Sequence, residues 1–431
     1  MGPMSDQPRY APDARARTRA ILDLAIRLAM ALWGSGAGAQ ETTEAMTAVS
    51  RTYGLRNTDA DVTHTVLSLT WTNPSTDESY TRSHNLRARQ LDYSRLSAAA
   101  ALYRQIVEKR IGLADAARRL SRIRASRPLS PRWVQEIGWG LVGAGATVLL
   151  GGGIVAAAVA FVAAVTLNAI MAALQRGGVP LLFRTFLGGA IGPVAALIAQ
   201  IIQPDASPTL VVVATVIVLL AGVTVFGGVQ DILTAFYVTG LARLTEAIVA
   251  TVGIAAGVIA TSLLLDRLGA PVEISVTEAR PDQLPAVAVA AAVVMALGFS
   301  IATQVPWRAL GVVAVLAALA ETITLLGTDA GLGPIWSVAA ASVAVGFTAS
   351  LLTRTARTPA LPMIVAPLVP MLPGLMLFDG LMLIAASDVR GLFDVFLAAA
   401  IAASIAAGSI LGHYLVRPLG RRGSRATLSK L

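Results

Sequence analysis

The chain has 431 residues, of which 55% are hydrophobic and only 14% charged, against roughly a quarter charged in an average soluble domain. Mean hydropathy is +0.69, so an ordinary soluble protein is excluded. With no cysteine and only three histidines, disulfides, thiolate–zinc sites, iron–sulfur clusters and cysteine nucleophiles are ruled out, and no metal or cofactor is expected. The net charge of +9 is almost all arginine, since Lys109 and Lys430 are the only lysines. Arginines crowd the first 132 residues and the last 15, with long apolar runs between. No basic run with interleaved aromatics accompanies them, so nucleic acid is not the expected partner. Arginine beside membrane spans holds those segments on the cytoplasmic side. A soluble head on a polytopic membrane body is the bounding answer.

Residues 1–14, with Pro3, Pro8 and Pro12, are expected to form a disordered leader. The stretch from Arg15 to Gln40 imitates a signal peptide, but Asp23 and Arg27 interrupt its apolar run. Leu22, Ile26, Ala29, Met30 and Trp33 instead share a helical face, which predicts an amphipathic helix over 18–33. The glycine-rich Gly34 to Gly38 stretch follows a helix and precedes no lysine, so it reads as a helix–helix connection rather than a phosphate loop. A second helix is expected over 39–53, with Glu41 and Glu44 near its start. Two strands follow, Asp61 to Trp71 and Glu78 to Arg89, turning at Asn73-Pro74-Ser75, with His64 inside the first. Helices over 92–110 and 113–124 complete a cytoplasmic α+β domain, 15–132 including its proline-containing linker.

A span needs about 20 apolar residues. Ten are expected, at 134–150, 152–173, 180–202, 209–227, 237–265, 286–303, 306–326, 332–353, 361–385 and 392–416. They make a first half (133–266), an external loop (267–285), a second half (286–416) and a basic cytoplasmic tail (417–431). Arg176, Arg184, Arg243, Arg308, Arg354 and Arg357 fall in or near alternate connections, which puts both termini in the cytoplasm.

The segment from Leu220 through Gly222, Phe226 and Gly228 matches the segment from Leu372 through Gly374, Phe378 and Gly380. Val238-Thr239-Gly240-Leu241 recurs as Val389-Arg390-Gly391-Leu392. Five spans per half is odd, so the halves are expected to be inverted, and inverted repeats with interrupted helices are a mark of secondary transporters. The predicted fold is thus an α-helical polytopic membrane protein of two inverted five-helix halves. Gly222, Pro373 and Gly374 would break helices and free backbone groups for a solute. Ionisable residues inside spans are functional candidates: Asp231 and Asp379 for solute contact, and Asp231, Glu321 and Asp379 for proton coupling. Arg243 and Glu246 stand three apart and read as a structural pair. Gln200 and Gln304 either bind a polar solute or end a span. With no Walker A motif and no catalytic Ser or Thr constellation, the chain reads as a secondary transporter or channel and not an enzyme. Gly/Ala faces suit a homo-oligomer.

The chain resembles the bacterial threonine/serine exporter family from about Leu22 to Arg417. In the head the resemblance rests on Leu28, Gly34-Ser35-Gly36-Ala37, Glu41, Glu44, Thr63-His64-Thr65, Arg87, Leu91-Asp92 and Arg95-Leu96. In the body it rests on Gly222, Asp231, Gly240 to Arg243, Glu246-Ala247, Ala366 to Pro370 and Pro373-Gly374. The resemblance implies a multi-pass plasma-membrane exporter of threonine and serine, with ten spans, driven by the proton motive force. Similar proteins divide between two subunits and are linked to succinate export. Two positions depart: His64 stands where the family often has proline, and Ala221 precedes Gly222 where Pro-Gly is common. A dicarboxylate exporter, and a membrane-anchored enzyme with a hydrolytic head, remain the alternatives.

Overall fold

The computed structural model describes residues 12–86, 89–217, 219, 222–272, 284–356 and 358–421. The chain divides into two compact units, Met1–Arg127 and Pro128–Leu431. Most of the expected leader, most of the expected external loop and most of the basic tail lie outside the described residues.

In the first unit, helix α1 (Pro12–Gly34) is the central element. Ile21, Leu22, Ala25, Leu28, Ala29, Leu32 and Trp33 are buried, a wider stripe than a surface helix shows. Around α1 pack α2 (Ala39–Thr52), α3 (Tyr93–Val107), α4 (Leu113–Ala125) and a sheet of β1 (Thr58–Val62), β2 (Val66–Thr72) and β3 (Ser79–Asn85). Helix α1 stops because Gly36 takes φ +115°. The Ala37 N–H then donates to Leu32 O and the Gly36 N–H to Trp33 O, which satisfies the last carbonyls. The glycine-rich stretch is a helix terminator.

The sheet is antiparallel in the order β1-β2-β3. The expectation of one strand from Asp61 to Trp71 is corrected: the chain reverses at Thr63–Thr65, with Thr63 N–H donating to Val66 O at 2.9 Å. Side-chain parity explains it. Val62 is buried at an even position, whereas Leu67, Leu69 and Trp71 are buried at odd ones, and one strand cannot turn both sets to the same face. The reversal pairs Val62 with Leu67 and leaves His64 in the turn. Helix α3 starts at Asp92, whose carboxylate accepts the Arg95 N–H at 2.9 Å.

The second unit is helical: α5 (Arg132–Leu149), α6 (Ile154–Arg176), α7 (Leu181–Ile202), α8 (Pro208–Val216), α9 (Gly222–Leu233), α10 (Tyr237–Arg267), α11 (Pro285–Ala302), α12 (Trp307–Asp329), α13 (Gly333–Ala356), α14 (Ala360–Leu368), a 3-10 turn (Val369–Met371), α15 (Gly374–Ala385) and α16 (Arg390–Arg421). Among the described residues seven helices are long and apolar enough to cross a bilayer, and the α14–α15 pair, bent by 44°, makes an eighth if it is one span. The spans expected at 209–227 and 361–385 are not continuous helices. The first is divided between α8 and α9, and the second turns at Leu372-Pro373. Pro370 and Pro373 have no N–H to extend a helix through that turn.

Helix lengths run in parallel through the unit. The helices α5 and α11 both have 18 residues, α6 and α12 both have 23, α8 and α14 both have 9, and α9 and α15 both have 12. Packing runs in parallel too. α7 lies on α10 and α13 on α16, while α9 reaches α16 and α10 reaches α15. Between α5 and α11, a Cβ on Gly138 would sit 2.6 Å from Gly298 O, and one on Gly298 would sit 2.7 Å from Gly138 O. These are the same contact with the two helices exchanged.

A candidate site at the two helix breaks

The breaks meet. A Cβ on Gly222, at the start of α9, would lie 2.9 Å from Leu372 Cβ, and Leu372 directly precedes Pro373 and Gly374. Leu372 O accepts the Gly374 N–H at 2.8 Å, so the chain turns tightly into α15. Gly222, Pro373 and Gly374 therefore belong to one region. Their helices are fixed by glycine contacts of the same form. A Cβ on Gly240 would lie 2.6 Å from Gly228 O and 2.5 Å from Ile232 Cγ1. A Cβ on Gly391 would overlap Gly380 O and lie 2.9 Å from Ile384 Cγ1. Only glycine allows backbones to approach this closely.

That common geometry exposes a difference in charge. On α9, Asp231 is 1% exposed and pairs with Arg243 of α10, itself 6% exposed, at 3.0 Å between Oδ2 and Nη1. Gly227 makes room for this guanidinium, since a Cβ there would lie 2.5 Å from Nη1. In the second half Asp379 follows Phe378 as Gly227 follows Phe226, and Asp394 stands three residues after Gly391 as Arg243 does after Gly240. Two half-buried acids thus occupy the places held by a glycine and an arginine in the first half. Asp394 is also the charged group that acts on Asp379.

Glu321 is fully buried on α12. Thr324, one turn on, donates to Met371 Sδ at 3.6 Å, which turns that face of α12 toward the 3-10 turn. Glu246 is exposed on α10, and its charge reaches Arg243 from the same helix. Gln304 accepts the Leu129 N–H at 2.8 Å through Oε1 and so ties down the chain entering α5. Outside the spans, Arg390 donates to Asp388 from its side chain and its backbone and holds that carboxyl below its ordinary range. Among the described residues no group of three His, Asp or Glu side chains is placed to hold a metal ion.

Two features of this region escape sequence reasoning. Arg243 finds Asp231 across a helix reversal, which helical spacing does not reveal. Asp394 lies close to Arg390 and resembles a loop charge until Gly391 is aligned with Gly240, which sets Asp394 in register with Arg243.

Long apolar helices, two broken segments that meet, and ionisable groups buried beside them define a polytopic membrane protein of the transporter class. Residues 23–265 match the family model ThrE, described as "Putative threonine/serine exporter", and residues 288–415 match ThrE_2, described as "Threonine/Serine exporter, ThrE". A "Probable threonine/serine exporter" of Mycobacterium tuberculosis is 31% identical over 410 residues, covering 93% of this chain and 77% of the relative. A "Threonine/serine exporter" of Corynebacterium glutamicum is 30% identical over 410 residues, covering 93% of this chain and 83% of the relative. The chain belongs to the threonine/serine exporter family. No solved structure matches it.

Proposed function

We propose that this chain exports threonine and serine across the bacterial plasma membrane in exchange for protons, through a path formed where the two breaks meet. The names of its relatives support the solute. The observation that carries the path is the contact of Gly222 with Leu372 between two glycine-pinned helix pairs of unlike charge. In this reading α8 with α9 and α14 with α15 each count as one broken span. With α5 the spans number ten, in two inverted halves with both termini in the cytoplasm, supported by the parallel helix lengths and the arginine distribution. The domain limits follow: a leader to residue 14, a cytoplasmic head and linker to 132, two halves separated by a loop over 267–285, and a tail from 417. The protein acts as a transporter rather than an enzyme, alone or as a homo-oligomer.

The roles divide by charge. The N-termini of α9 and α15, opened at Gly222, Pro373 and Gly374, face the solute carboxylate with the positive ends of their dipoles. Asp379 and Asp394 take either one shared proton or the solute ammonium. The Asp394 charge acts on Asp379, and a proton or an ammonium relieves such like-charge repulsion. Competition between proton and ammonium for the same acids is what exchange requires. Asp231 is neutralised by Arg243 and keeps the first half fixed, and Glu321 is a further acid for proton passage.

Counterflow of labelled threonine in proteoliposomes, with and without an imposed pH gradient, tests this. Asp394→Asn is expected to keep counterflow and lose stimulation by the gradient, and Asp379→Asn to lose both. Unchanged stimulation in Asp394→Asn removes the pair from coupling. Counterflow of succinate in place of threonine and serine overturns the solute.

A further inference from the structure

The first unit contains a cavity that export does not use. It has a volume of about 380 Å³, within the range of small-molecule sites, about 300–1,000 Å³. Met30 supplies an apolar wall, Ser35 and Gln90 supply neutral polar groups, and Asp92, Arg95 and Arg124 supply charge. Every lining group lies within the Met1–Arg127 unit.

Two helix ends meet here. Helix α1 ends at Gly34, which lines the cavity and whose carbonyl accepts the Gln90 N–H, while Arg89 donates to Trp33 O at the same end. Helix α3 begins just after Asp92 and brings a positive end. The side chains supply both charges. Asp92 commits Oδ1 to the Arg95 N–H at 2.9 Å, while its Oδ2 lies 3.7 Å from Arg95 Nε, too far for a hydrogen bond. Arg95 Nε is buried and makes no hydrogen bond among the described residues. A buried guanidinium N–H left in this way is costly unless something accepts from it. Arg124, in the last turn of α4, adds a second guanidinium.

We propose that this cavity is a binding site for a small zwitterionic amino acid. The ligand carboxylate accepts from Arg95 Nε and Arg124, and its ammonium donates to Asp92 Oδ2. Ser35 and Gln90 meet a hydroxyl, and Met30 meets a methyl. One carboxylate, Asp92, beside two guanidiniums, Arg95 and Arg124, fits a zwitterion better than a dianion, whose second carboxylate Asp92 repels. The choice of threonine or serine as ligand rests on the export reading above. The site would report amino-acid level from the head rather than carry solute.

The test is local to the cavity. Full-length protein labelled with 13C at its methionine methyls is titrated in micelles with threonine, serine and succinate, with the Met30 resonance assigned through Met30→Leu. Threonine is expected to move Met30 saturably, and succinate to leave it in place. Losing one charge-assisted hydrogen bond costs about 1.5–3 kcal/mol. Arg95→Gln should therefore raise the midpoint by roughly tenfold to a hundredfold. Arg124→Gln, a change at an exposed side chain with little bearing on folding, should also raise it. A silent Met30 overturns the site. A response to succinate alone overturns the ligand class, and a response that neither arginine variant weakens places the binding elsewhere. Counterflow with the same protein reconstituted into proteoliposomes separates the two readings. Counterflow with a silent Met30 sinks only the cavity, whereas a responding Met30 without counterflow sinks only export.

Discussion

Replacing Asp231 with asparagine strips the buried Arg243 guanidinium of its cross-helix carboxylate. At the observed 3.0 Å, the attraction in a medium of effective dielectric constant ~20 is about 5 kcal/mol, and part of that offsets the cost of burying both charges. Removing one partner of a buried pair leaves an uncompensated charge and costs about 3–5 kcal/mol, while removing both together is often close to neutral. Asp231→Asn is therefore expected to lose about 3 kcal/mol. Asp231→Asn with Arg243→Gln should return to within about 1 kcal/mol of the parent. Thermal unfolding in micelles, followed by circular dichroism across all four members of the cycle, reads the difference. At roughly 2–4 °C per kcal/mol for a large domain, the single variant melts about 6–12 °C lower. If the single and double variants fall equally, the two residues are not coupled. The neutralised first half then has no basis, and neither does the contrast with Asp379 and Asp394.

Gly391→Val and Gly240→Val should each lower stability by about 1–3 kcal/mol through overpacking. Gly311→Ala, where an added Cβ meets nothing within 4 Å, should be neutral or slightly stabilising; equal melting of all three would refute the glycine contacts. Arg89 lies 3.9 Å over the Trp33 ring and donates to Trp33 O and Ala37 O at 3.1 and 2.9 Å. Arg89→Ala should cost about 2–3 kcal/mol, and lysine should not rescue it because it lacks the planar fork; faster hydrogen exchange at Ser35 to Ala37 checks this. Asp388, held below its ordinary value of 3.8 by Arg390, favours the folded loop above that value, and the contribution is lost as pH falls through the depressed one. Arg390→Gln should raise the Asp388 titration toward the ordinary value, read by carboxyl NMR.

The apolar helices were legible because a bilayer demands long uninterrupted hydrophobicity, and the break at Pro373 because proline cannot extend a helix. The break before Gly222 was read from the repeat, but not the separation of α8 from α9, since Val216 to Ala221 is as apolar as a continuous span. Composition likewise suggested one strand from Asp61 to Trp71. The reversal at His64 is encoded only in the shift of parity from Val62 to Leu67. Side-chain partners were the least legible. Arg243 has an acid three residues away in Glu246, and nothing local announces Asp231 on the preceding helix. The cavity beside Asp92 depends on residues from α1, α3 and α4 coming together, which no single stretch displays.

The crossed packing of α9 on α16 and of α10 on α15 bears on how the chain is made. When synthesis has passed Arg267, α9 and α10 exist but neither of their later partners does. At ordinary translation rates α15 follows after an interval on the order of ten seconds. For that time the first half presents uncovered helix faces to lipid or to the insertion machinery, and it reaches its final packing only when the second half arrives. A ribosome that stops between α10 and α11 therefore leaves α9 and α10 without helices they pack on in the finished chain.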